Sequence, residues 1–457
     1  MKVIWLPEPY EAAIAISDDP DICDFHAFKT MYDFLMKIDF PTTRAMWVYK
    51  NREPTGSPLL DCIFYSPLLT DSECLDYCRL LNSKGFEICL HGASCGNNTR
   101  EMMEYAFDFL KREIRASSVY ICHSKNAENL YWDAHTANSN FERRILELYT
   151  KNTCYGEVPG SKYFWGDLCR KTIRYIRLYR TRMLNTLSFN PSMPYHDFSK
   201  PFVNFWFSAT KGHIPRLFTK TNLDFLCKQN GAGILYQYLH KYVLKDGTIL
   251  KEVREALEMA ANDSRLLKQP VSVIMDRLKL FQNIVTINYN GKAYIIKANK
   301  NPVGSLQIKL DTLDEFHADS FFKIDKVRKT AVFETINPLS FISIKTSDKF
   351  TNSKKYKIKD GLITINFSKA TIFVNTLPKA ISLNNSNKIP PESVYVEYKT
   401  PEAQRLEILQ EIYPWELYKL KAGQASILLR EHLFLGRKFS TEKYLETPGK
   451  IEDLSNW

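Results

Sequence analysis

The chain has 457 residues and a mass of 53.2 kDa, which is enough for two or three domains of ordinary size. A composition of 44% hydrophobic and 25% charged residues excludes disordered, collagen-like and coiled-coil proteins. The formal net charge of +11 is compatible with an acidic partner, but no nucleic-acid recognition motif accompanies it. We therefore predict no nucleic-acid partner.

The N-terminal residues 1–5 are followed by Pro7 and Glu8, and a secretory signal cannot be built from them. No uncharged apolar run approaches the roughly 18 residues of a membrane-spanning helix. All ten cysteines lie in the first half of the chain and none forms a CxxC pair, which argues against a zinc ribbon or a dithiol site. We expect a cytoplasmic protein with no transmembrane segment.

The first part of the chain alternates strand-like and helix-like segments. Residues 12–17 form an apolar run, typical of a buried strand, that ends in Asp18-Asp19-Pro20-Asp21. Residues 28–38 then carry apolar side chains at helical spacing, and residues 45–49 are predicted as a second strand. The order of strand, helix and strand is typical of a parallel sheet.

The same alternation continues further along the chain. A helix is predicted between Thr70 and Gly85, because Thr70 opens a capping-box pattern and Gly85 supplies a C-terminal stop. The next predicted strand, residues 86–90, ends in His91. A second capped helix follows, and the strand after that helix ends in His123.

Strands joined through helices imply right-handed crossovers and a parallel sheet or barrel. In such folds the reactive groups collect at the carboxyl ends of the strands. Three separate strand ends here carry Asp18 with Asp19, His91, and His123. One carboxylate and two imidazoles are a ligand set suited to a catalytic divalent metal, and the second carboxylate can serve as a proton acceptor.

The sequence pattern changes after about residue 285. Asn290-Gly291 and Asp360-Gly361 each separate two strand-like runs, which is the pattern of a tight β-hairpin. Residues 291–390 hold about twice as many Lys and Arg as Asp and Glu. We predict a basic antiparallel β-sandwich domain over residues 286–390, followed by a mostly helical C-terminal segment and tail over residues 391–457.

Two motifs carry a resemblance to a known family. The run from Ile14 to Asp19 resembles the first motif of the polysaccharide deacetylase-like proteins (carbohydrate esterase family 4, NodB homology), a strand that ends in Thr-Phe-Asp-Asp-Gly. The run from Gly85 to His91 resembles their second motif, and segments such as Tyr163 to Asp167 are similar to an atypical subgroup. The resemblance covers about residues 10–280 and implies a distorted (β/α) barrel over residues 1–285.

The resemblance also implies roles for the motif residues. By it, Asp18 is the general base, Asp19 binds the metal and His91 is a second ligand. The family's second motif places another His where this chain has Cys95, so the third ligand is either Cys95 or His123. We favour His123, because it is a standard nitrogen ligand at the next strand end.

The general acid is left open among three residues. The family's Arg-x-Pro motif is absent, and its late Leu-x-x-His motif aligns its His with Tyr238 here, with His240 two positions later. His196 is the third candidate. Trp132 and Trp165 lie in predicted loops or strand ends and, with Asn129, are expected to contact a sugar, although core packing is an equal alternative for either tryptophan. The cation-rich run from Arg170 to Arg182 is interpreted as a solvated basic face, with a phosphate or pyrophosphate contact as the alternative.

The function implied is that of a metal-dependent hydrolase, most simply a zinc enzyme, that removes an N-acetyl or other acyl group from a saccharide. The substrate is expected to be a glycan precursor, lipid-linked or nucleotide-linked, with peripheral membrane contact through the basic β-domain. The alternative from another class is a catalytically inactive deacetylase-like barrel that binds carbohydrate, because two of the family's motifs are incomplete.

Overall fold

The structure is a computed structural model that carries side chains. It describes residues 2–50, 66–123, 126–137, 143–144, 154–282, 284–289, 292–298, 303–310, 317–318, 320–337, 340–345, 356–359, 362–367, 370–375 and 394–401. Contacts divide the described chain into two units. Residues 12–275 form one unit, while residues 2–11, which include the first strand β1 (Lys2–Ile4), belong with the region from residue 276 onward.

The first unit is a closed barrel of seven parallel strands flanked by helices. Its strands follow one another around the barrel in chain order, and the last pairs with the first. The strands are β2 (Ala12–Asp18), β3 (Thr43–Met46), β4 (Glu87–Leu90), β5 (Val119–Tyr120), β6 (Tyr175–Thr181), β7 (Phe205–Lys211) and β8 (Ala232–Gln237). This architecture confirms the predicted (β/α) barrel. An eighth parallel strand, β9 (Leu266–Lys268), pairs with the amino half of β2 and distorts the closure.

The helices follow the strands as the alternating pattern predicts. They are α1 (Phe25–Lys37), α2 (Ser72–Ser83), α3 (Arg100–Glu113), α4 (Gly166–Thr172), α5 (Thr186–Phe189), α6 (Ile214–Leu217), α7 (Lys220–Lys228), α8 (Lys251–Asn262) and α9 (Val271–Gln282), with short 3-10 turns at Asp133–Thr136 and Leu239–Tyr242. The Asp24 side chain accepts a hydrogen bond from the Ala27 N–H and caps α1, whose buried face includes Phe28, Met31 and Leu35. Among the described residues, no helix combines the length and the apolar character needed to cross a membrane.

The region from residue 284 contains antiparallel strands. They are β10 (Ile284–Tyr289), β11 (Lys292–Lys297), β12 (Val303–Lys309), β13 (His317–Ala318), β14 (Lys323–Asp325), β15 (Thr330–Ile336), β16 (Ser340–Lys345), β17 (Lys357–Lys359), β18 (Leu362–Asn366), β19 (Ala370–Asn375) and β20 (Val394–Tyr398). Strands β10 and β11 pair across residues 290–291, and β17 and β18 pair across residues 360–361, so both predicted hairpins are confirmed.

These strands form three stacked four-stranded sheets, an antiparallel sandwich-like region that fits the predicted β-sandwich. The orders are β1-β12-β15-β14, β10-β11-β16-β13 and β17-β18-β19-β20. Alternation along the central sheet explains the stacking, because Ile295 packs into one core with the first sheet and Ile296 into a second core with the third sheet. Of the predicted C-terminal segment, residues 391–457, the structure describes residues 394–401, which contain strand β20, and the predicted helix from Glu402 lies outside the described residues.

Candidate metal centre

Three side chains converge at the carboxyl ends of the barrel strands. Asp21 follows β2, His91 follows β4 and His123 follows β5, and one potential ligand atom from each lies within 4.8 Å of the others. The Oδ1 atom of Asp21 is 3.2 Å from the Nε2 atom of His91 and 3.8 Å from the Nε2 atom of His123. The structure therefore brings together the two predicted imidazoles and the carboxylate of Asp21, which was not among the predicted ligands.

Hydrogen bonding defines which nitrogen of His91 carries a proton. Its Nδ1 atom lies 2.9 Å from the main-chain carbonyl of Ile121, which can only accept a hydrogen bond. The proton of the neutral imidazole must therefore be on Nδ1. The Nε2 atom then presents a lone pair to the carboxylate of Asp21, so two acceptors face each other.

The tautomer of His123 is defined in the same way by Asn126. The Nδ1 atom of His123 is 3.0 Å from the Oδ1 atom of Asn126. The amide nitrogen of Asn126 donates to the Gly96 carbonyl and to Glu128, at 2.7 Å and 2.8 Å, which fixes the orientation of the amide. The imidazole must therefore donate from Nδ1, and its Nε2 atom is the acceptor that faces Asp21.

The charges of the group suit a cation. Burial lowers the pKa of His123, with Asp21 opposing that shift, so the imidazole is neutral near pH 7. Burial alone would raise the pKa of Asp21, whereas protonated His123 or His91 and the nearby Lys241 would hold it below its ordinary value. The group thus presents one carboxylate and the neutral imidazole of His123 beside the imidazole of His91.

A divalent metal ion fits this group. The Oδ1 atom of Asp21 and the Nε2 atom of His91 are both buried and have no hydrogen-bond partner, although they lie 3.2 Å apart. Buried acceptors that face one another without a donor are costly unless a cation lies between them. Two imidazoles whose other nitrogens donate to a carbonyl and an amide are the usual arrangement of histidine metal ligands.

Asn126 provides a first test of this arrangement. Asn126→Ala should weaken zinc binding by about 10–100-fold, because the orientation and tautomer of His123 would no longer be fixed. A competition titration with a chromophoric chelator measures the change. Asn82→Ala is a matched control, since the Asn82 amide donates to the Phe86 carbonyl outside this group. Equal zinc affinity in wild type and Asn126→Ala would contradict the assignment.

Asp19, the predicted metal ligand, lies beside this group rather than in it. Both of its carboxylate oxygens accept hydrogen bonds from the Arg177 guanidinium, at 2.8 Å and 2.6 Å. Its Oδ2 atom is 3.9 Å from the Nε2 atom of His91. The geometry does not support the predicted ligand role of Asp19 and instead leaves this carboxylate adjacent to the ligand atoms.

Asp18, the predicted general base, lies in a different environment. Its Oδ2 atom accepts hydrogen bonds from Arg44 at 2.5 Å and from the Tyr32 hydroxyl at 3.1 Å, and its Oδ1 atom accepts from the Leu239 N–H at 2.7 Å. The side chains of Asp18 and Arg44 are fully buried. Burial raises the pKa of Asp18, while Arg44 opposes that shift. The carboxylate of Asp18 is thus enclosed by protein donors, and its role as general base stays a prediction.

Alternation along β2 explains why the two aspartates differ. Arg177 donates to the Ser17 hydroxyl as well as to Asp19, so residues 17 and 19 face the barrel interior. Asp18 points the other way, toward Tyr32 on helix α1. Pro20 lacks an N–H and cannot continue the strand, and the next residues return the Asp21 carboxylate to the interior face.

The three candidate general acids are placed in different surroundings. The Tyr238 hydroxyl donates to the Oδ2 atom of Asp21 at 3.2 Å, beside the ligand group. His240 is buried, and burial and then Lys241 lower its pKa far below the usual range. The Nδ1 atom of His196 is 2.6 Å from the Asn204 carbonyl, and none of its described contacts is with the ligand group.

Lys241 is an ionisable residue of the site that the sequence analysis missed. Burial lowers its pKa to about 8, although Asp21 and Asp19 oppose the shift. Its ammonium group lies over the Tyr238 ring, 4.3 Å from the ring centre. The signal in the sequence was its position directly after His240, at the carboxyl end of β8.

The Trp47 ring packs against the two imidazoles. Its centre is 5.6 Å from those of His91 and His123. Cys95 forms a small apolar cluster with Trp47 and Leu68 and is not a member of the ligand group. Between the two alternatives for the third ligand, the structure thus places His123 with His91 and leaves Cys95 outside.

Two of the three residues predicted to contact a sugar, Trp165 and Asn129, are buried and form hydrogen bonds within the protein. The Trp165 ring is fully buried and its Nε1 atom donates to the Glu128 carbonyl at 2.6 Å, so it has no face for a ligand. The Asn129 amide donates to the His123 carbonyl at 2.6 Å and positions that residue's main chain. Trp132 is half-buried, and of the three it alone keeps exposed area.

Arg177 corrects the interpretation of the basic run. The residue is only 5% exposed and stacks on the Tyr236 ring, 4.0 Å from its centre, while pairing with Asp19. Arg177 lies on β6, and its side chain points into the barrel interior, where it contacts Ser17 and Asp19. Strand periodicity along β6 was the signal that could have separated it from the solvated cations around it.

No family model and no curated protein sequence matches this chain. A solved structure from Mycobacterium smegmatis, provisionally described as a polysaccharide deacetylase, is similar with a TM-score of 0.34 and 10% identity, over 60% of this chain and 93% of that chain. Another from Bordetella bronchiseptica, provisionally described as a polysaccharide deacetylase involved in O-antigen biosynthesis, has a TM-score of 0.25 and 13% identity, over 56% and 84%. An alpha-L-fucosidase has a TM-score of 0.25 and 9% identity, over 72% and 80%. Similarities of this size do not decide a family.

Proposed function

We propose that the protein is a metal-dependent hydrolase that removes an acyl group, specifically N-acetyl, from a saccharide. The observation that carries this proposal is the convergence of Asp21, His91 and His123, with their acceptor atoms facing one another and Asp19 beside them. A divalent ion bound there, most simply zinc, supplies Lewis-acid polarisation of a carbonyl and acidifies water.

Asp19 is the proposed proton acceptor. A carboxylate has about four lone-pair positions, of which Arg177 occupies two, so Asp19 can still accept a proton from water. The two parallel hydrogen bonds from Arg177 hold the carboxylate in one orientation next to the ligand atoms. Asp19 therefore takes the role that the resemblance assigned to Asp18.

Lys241 is the proposed proton donor to the leaving amine. With a pKa of about 8 its ammonium group is mostly protonated at pH 7, and it is acidic enough to transfer that proton. His240 is a poorer donor because its lowered pKa leaves it neutral, and Tyr238 is poorer because burial raises its pKa well above the usual range.

This role predicts the pH dependence of turnover. Lys241 is protonated below about pH 8 and loses its proton above it, so kcat should fall on the alkaline side with an apparent pKa near 8. Lys241→Gln should lower kcat by at least about tenfold and remove the alkaline limb. A kcat–pH profile measures both effects. Lys245→Gln is the control, and an unchanged alkaline limb in Lys241→Gln would exclude the role.

The activity itself is tested with full-length protein loaded with zinc. Acetate release is measured from a panel of N-acetylated mono- and oligosaccharides, with His91→Ala protein as the control. The proposal expects release that needs both zinc and His91. Stoichiometric zinc with sugar binding but no acetate release would favour the alternative, a catalytically inactive barrel that binds carbohydrate.

A further inference from the structure

A second cleft lies in the barrel unit, at the carboxyl ends of β6 and β7, and has a volume of about 490 Å³. It is lined by Arg182 after β6, by Lys211 at the end of β7 and by Arg216 on α6. Leu217 and Leu226 also line the cleft, and none of the ligand-group residues contributes to the lining. The metal centre therefore does not explain this cleft.

The charge of the cleft is of one sign. Arg182, Lys211 and Arg216 bring three cations to the lining, and no Asp or Glu is among the described residues that line it. Cations gathered without a carboxylate in a concave site produce a positive potential that attracts anions. His213 also lines the cleft, and its Nε2 atom is buried without a hydrogen-bond partner.

The apolar part of the cleft indicates that the ligand is more than an inorganic anion. Leu217 and Leu226 lie beside the cations, and the Phe225 side chain, which also lines the cleft, is 58% exposed. Exposed aromatic area next to guanidinium groups suits a molecule with an anionic group joined to an apolar or planar group.

We propose that this cleft binds the phosphate or pyrophosphate group of a phosphate ester. Arginine guanidinium groups match phosphate oxygens with paired hydrogen bonds, and two arginines with one lysine balance the charge of a pyrophosphate. The ester group, either a nucleoside or a prenyl chain, lies along Leu217 and Phe225.

One residue connects the cleft to the metal centre. The Nε2 atom of Gln237 donates to the carbonyl of Gly212 in the cleft lining, at 2.8 Å. The main-chain carbonyl of Gln237 accepts from the N–H of Asp19, at 2.9 Å. This connection indicates that the phosphate ester is the carrier of the sugar substrate. That carrier role rests on the proposed hydrolase function, whereas phosphate binding in the cleft does not.

Binding is tested by titration calorimetry on full-length His91→Ala protein, which prevents the probes from being held by a metal ion at the ligand group. The probes are inorganic pyrophosphate, uridine diphosphate and geranyl pyrophosphate. Adding Arg216→Gln should weaken pyrophosphate binding by about tenfold or more, since hydrogen bonds between charged partners are the strong class. Lys228→Gln, an exposed cation on α7 outside the lining, is the matched control and should change nothing.

The comparison of probes distinguishes the two sources of the phosphate. Tighter binding of uridine diphosphate than of inorganic pyrophosphate supports a nucleotide ligand, and tighter binding of geranyl pyrophosphate supports a lipid-linked one. No binding of any probe at low salt, or equal weakening by Arg216→Gln and Lys228→Gln, would overturn the site. Because the binding is measured without a functional metal centre, failure of the hydrolase proposal would not affect this result.

Discussion

Asp19→Asn protein should keep its divalent metal and lose turnover by about 10²–10⁴-fold, the usual contribution of a positioned general base. The metal is kept because Asp19 is not among the three ligands, and its two oxygens are already bonded to Arg177. Turnover is lost because an amide cannot accept the proton from water. Metal content and kcat, measured on the same preparation, give both quantities.

Asp21→Asn is the matched comparison, because it changes the same atoms two residues away. This variant should lose tight metal binding and turnover together, since Asp21 supplies the anionic ligand atom that faces both imidazoles. If Asp19→Asn loses the metal while Asp21→Asn retains it, the ligand role predicted from sequence for Asp19 is right and the assignment from the geometry is wrong.

Asp18→Asn should lower the free energy of unfolding of the barrel by about 3–5 kcal/mol, because it leaves the Arg44 charge buried without its partner. Both side chains are fully buried, so water cannot replace the lost interaction. The cation also lies over the Phe28 ring, 4.6 Å from its centre, in the core beneath α1. Urea unfolding followed by tryptophan fluorescence measures the change.

Two controls separate this effect from a general loss of charge. Glu255→Gln removes one partner of an exposed pair with Lys251 on α8, and it should change the unfolding free energy by less than about 1 kcal/mol. Asp18→Asn combined with Arg44→Met should recover part of the lost stability, because no buried charge is then unpaired. A stable Asp18→Asn protein that has lost only turnover would restore Asp18 as the base.

The barrel could be predicted because its pattern is local. The buried strand β2 is short and apolar, for example, and it is followed by the capped amphipathic helix α1. The rule that reactive groups lie at carboxyl strand ends then predicts His91 and His123 as site residues. The two hairpins were predicted for the same reason, since residues 290–291 and 360–361 carry the turn signal themselves.

The choice among the aspartates could not be made from the motif alone. Adjacent strand residues face opposite sides, so Asp18 and Asp19 cannot share a site, and which one faces inward depends on the register of β2 in the barrel. Arg177 settles that register, but it lies about 160 residues away and its contact is visible only in the folded chain. Strand alternation does not extend to Asp21, because β2 ends at Asp18 and Pro20 follows.

The stacking of the three β-sheets was also not predicted from the sequence. Strands β10 and β11 are apolar on both faces, as Ile295 and Ile296 illustrate, and this indicates a sheet covered on both sides. The hairpins were predicted from the sequence, but a sheet covered on both faces was not. The pairing of β1 with β12 joins residues about 300 apart, and no local pattern predicts it.

X-ray absorption at the zinc edge of the full-length protein tests whether Asp21, His91 and His123 bind the metal without Cys95. We expect one zinc per chain with two imidazole ligands and only oxygen atoms otherwise, because Asp21, His91 and His123 form the site and Cys95 lies outside it. Zinc–nitrogen and zinc–oxygen distances near 2.0–2.2 Å are then expected, without a sulfur shell at about 2.3 Å. A sulfur shell, or purified protein that fails to retain stoichiometric zinc, would contradict the account.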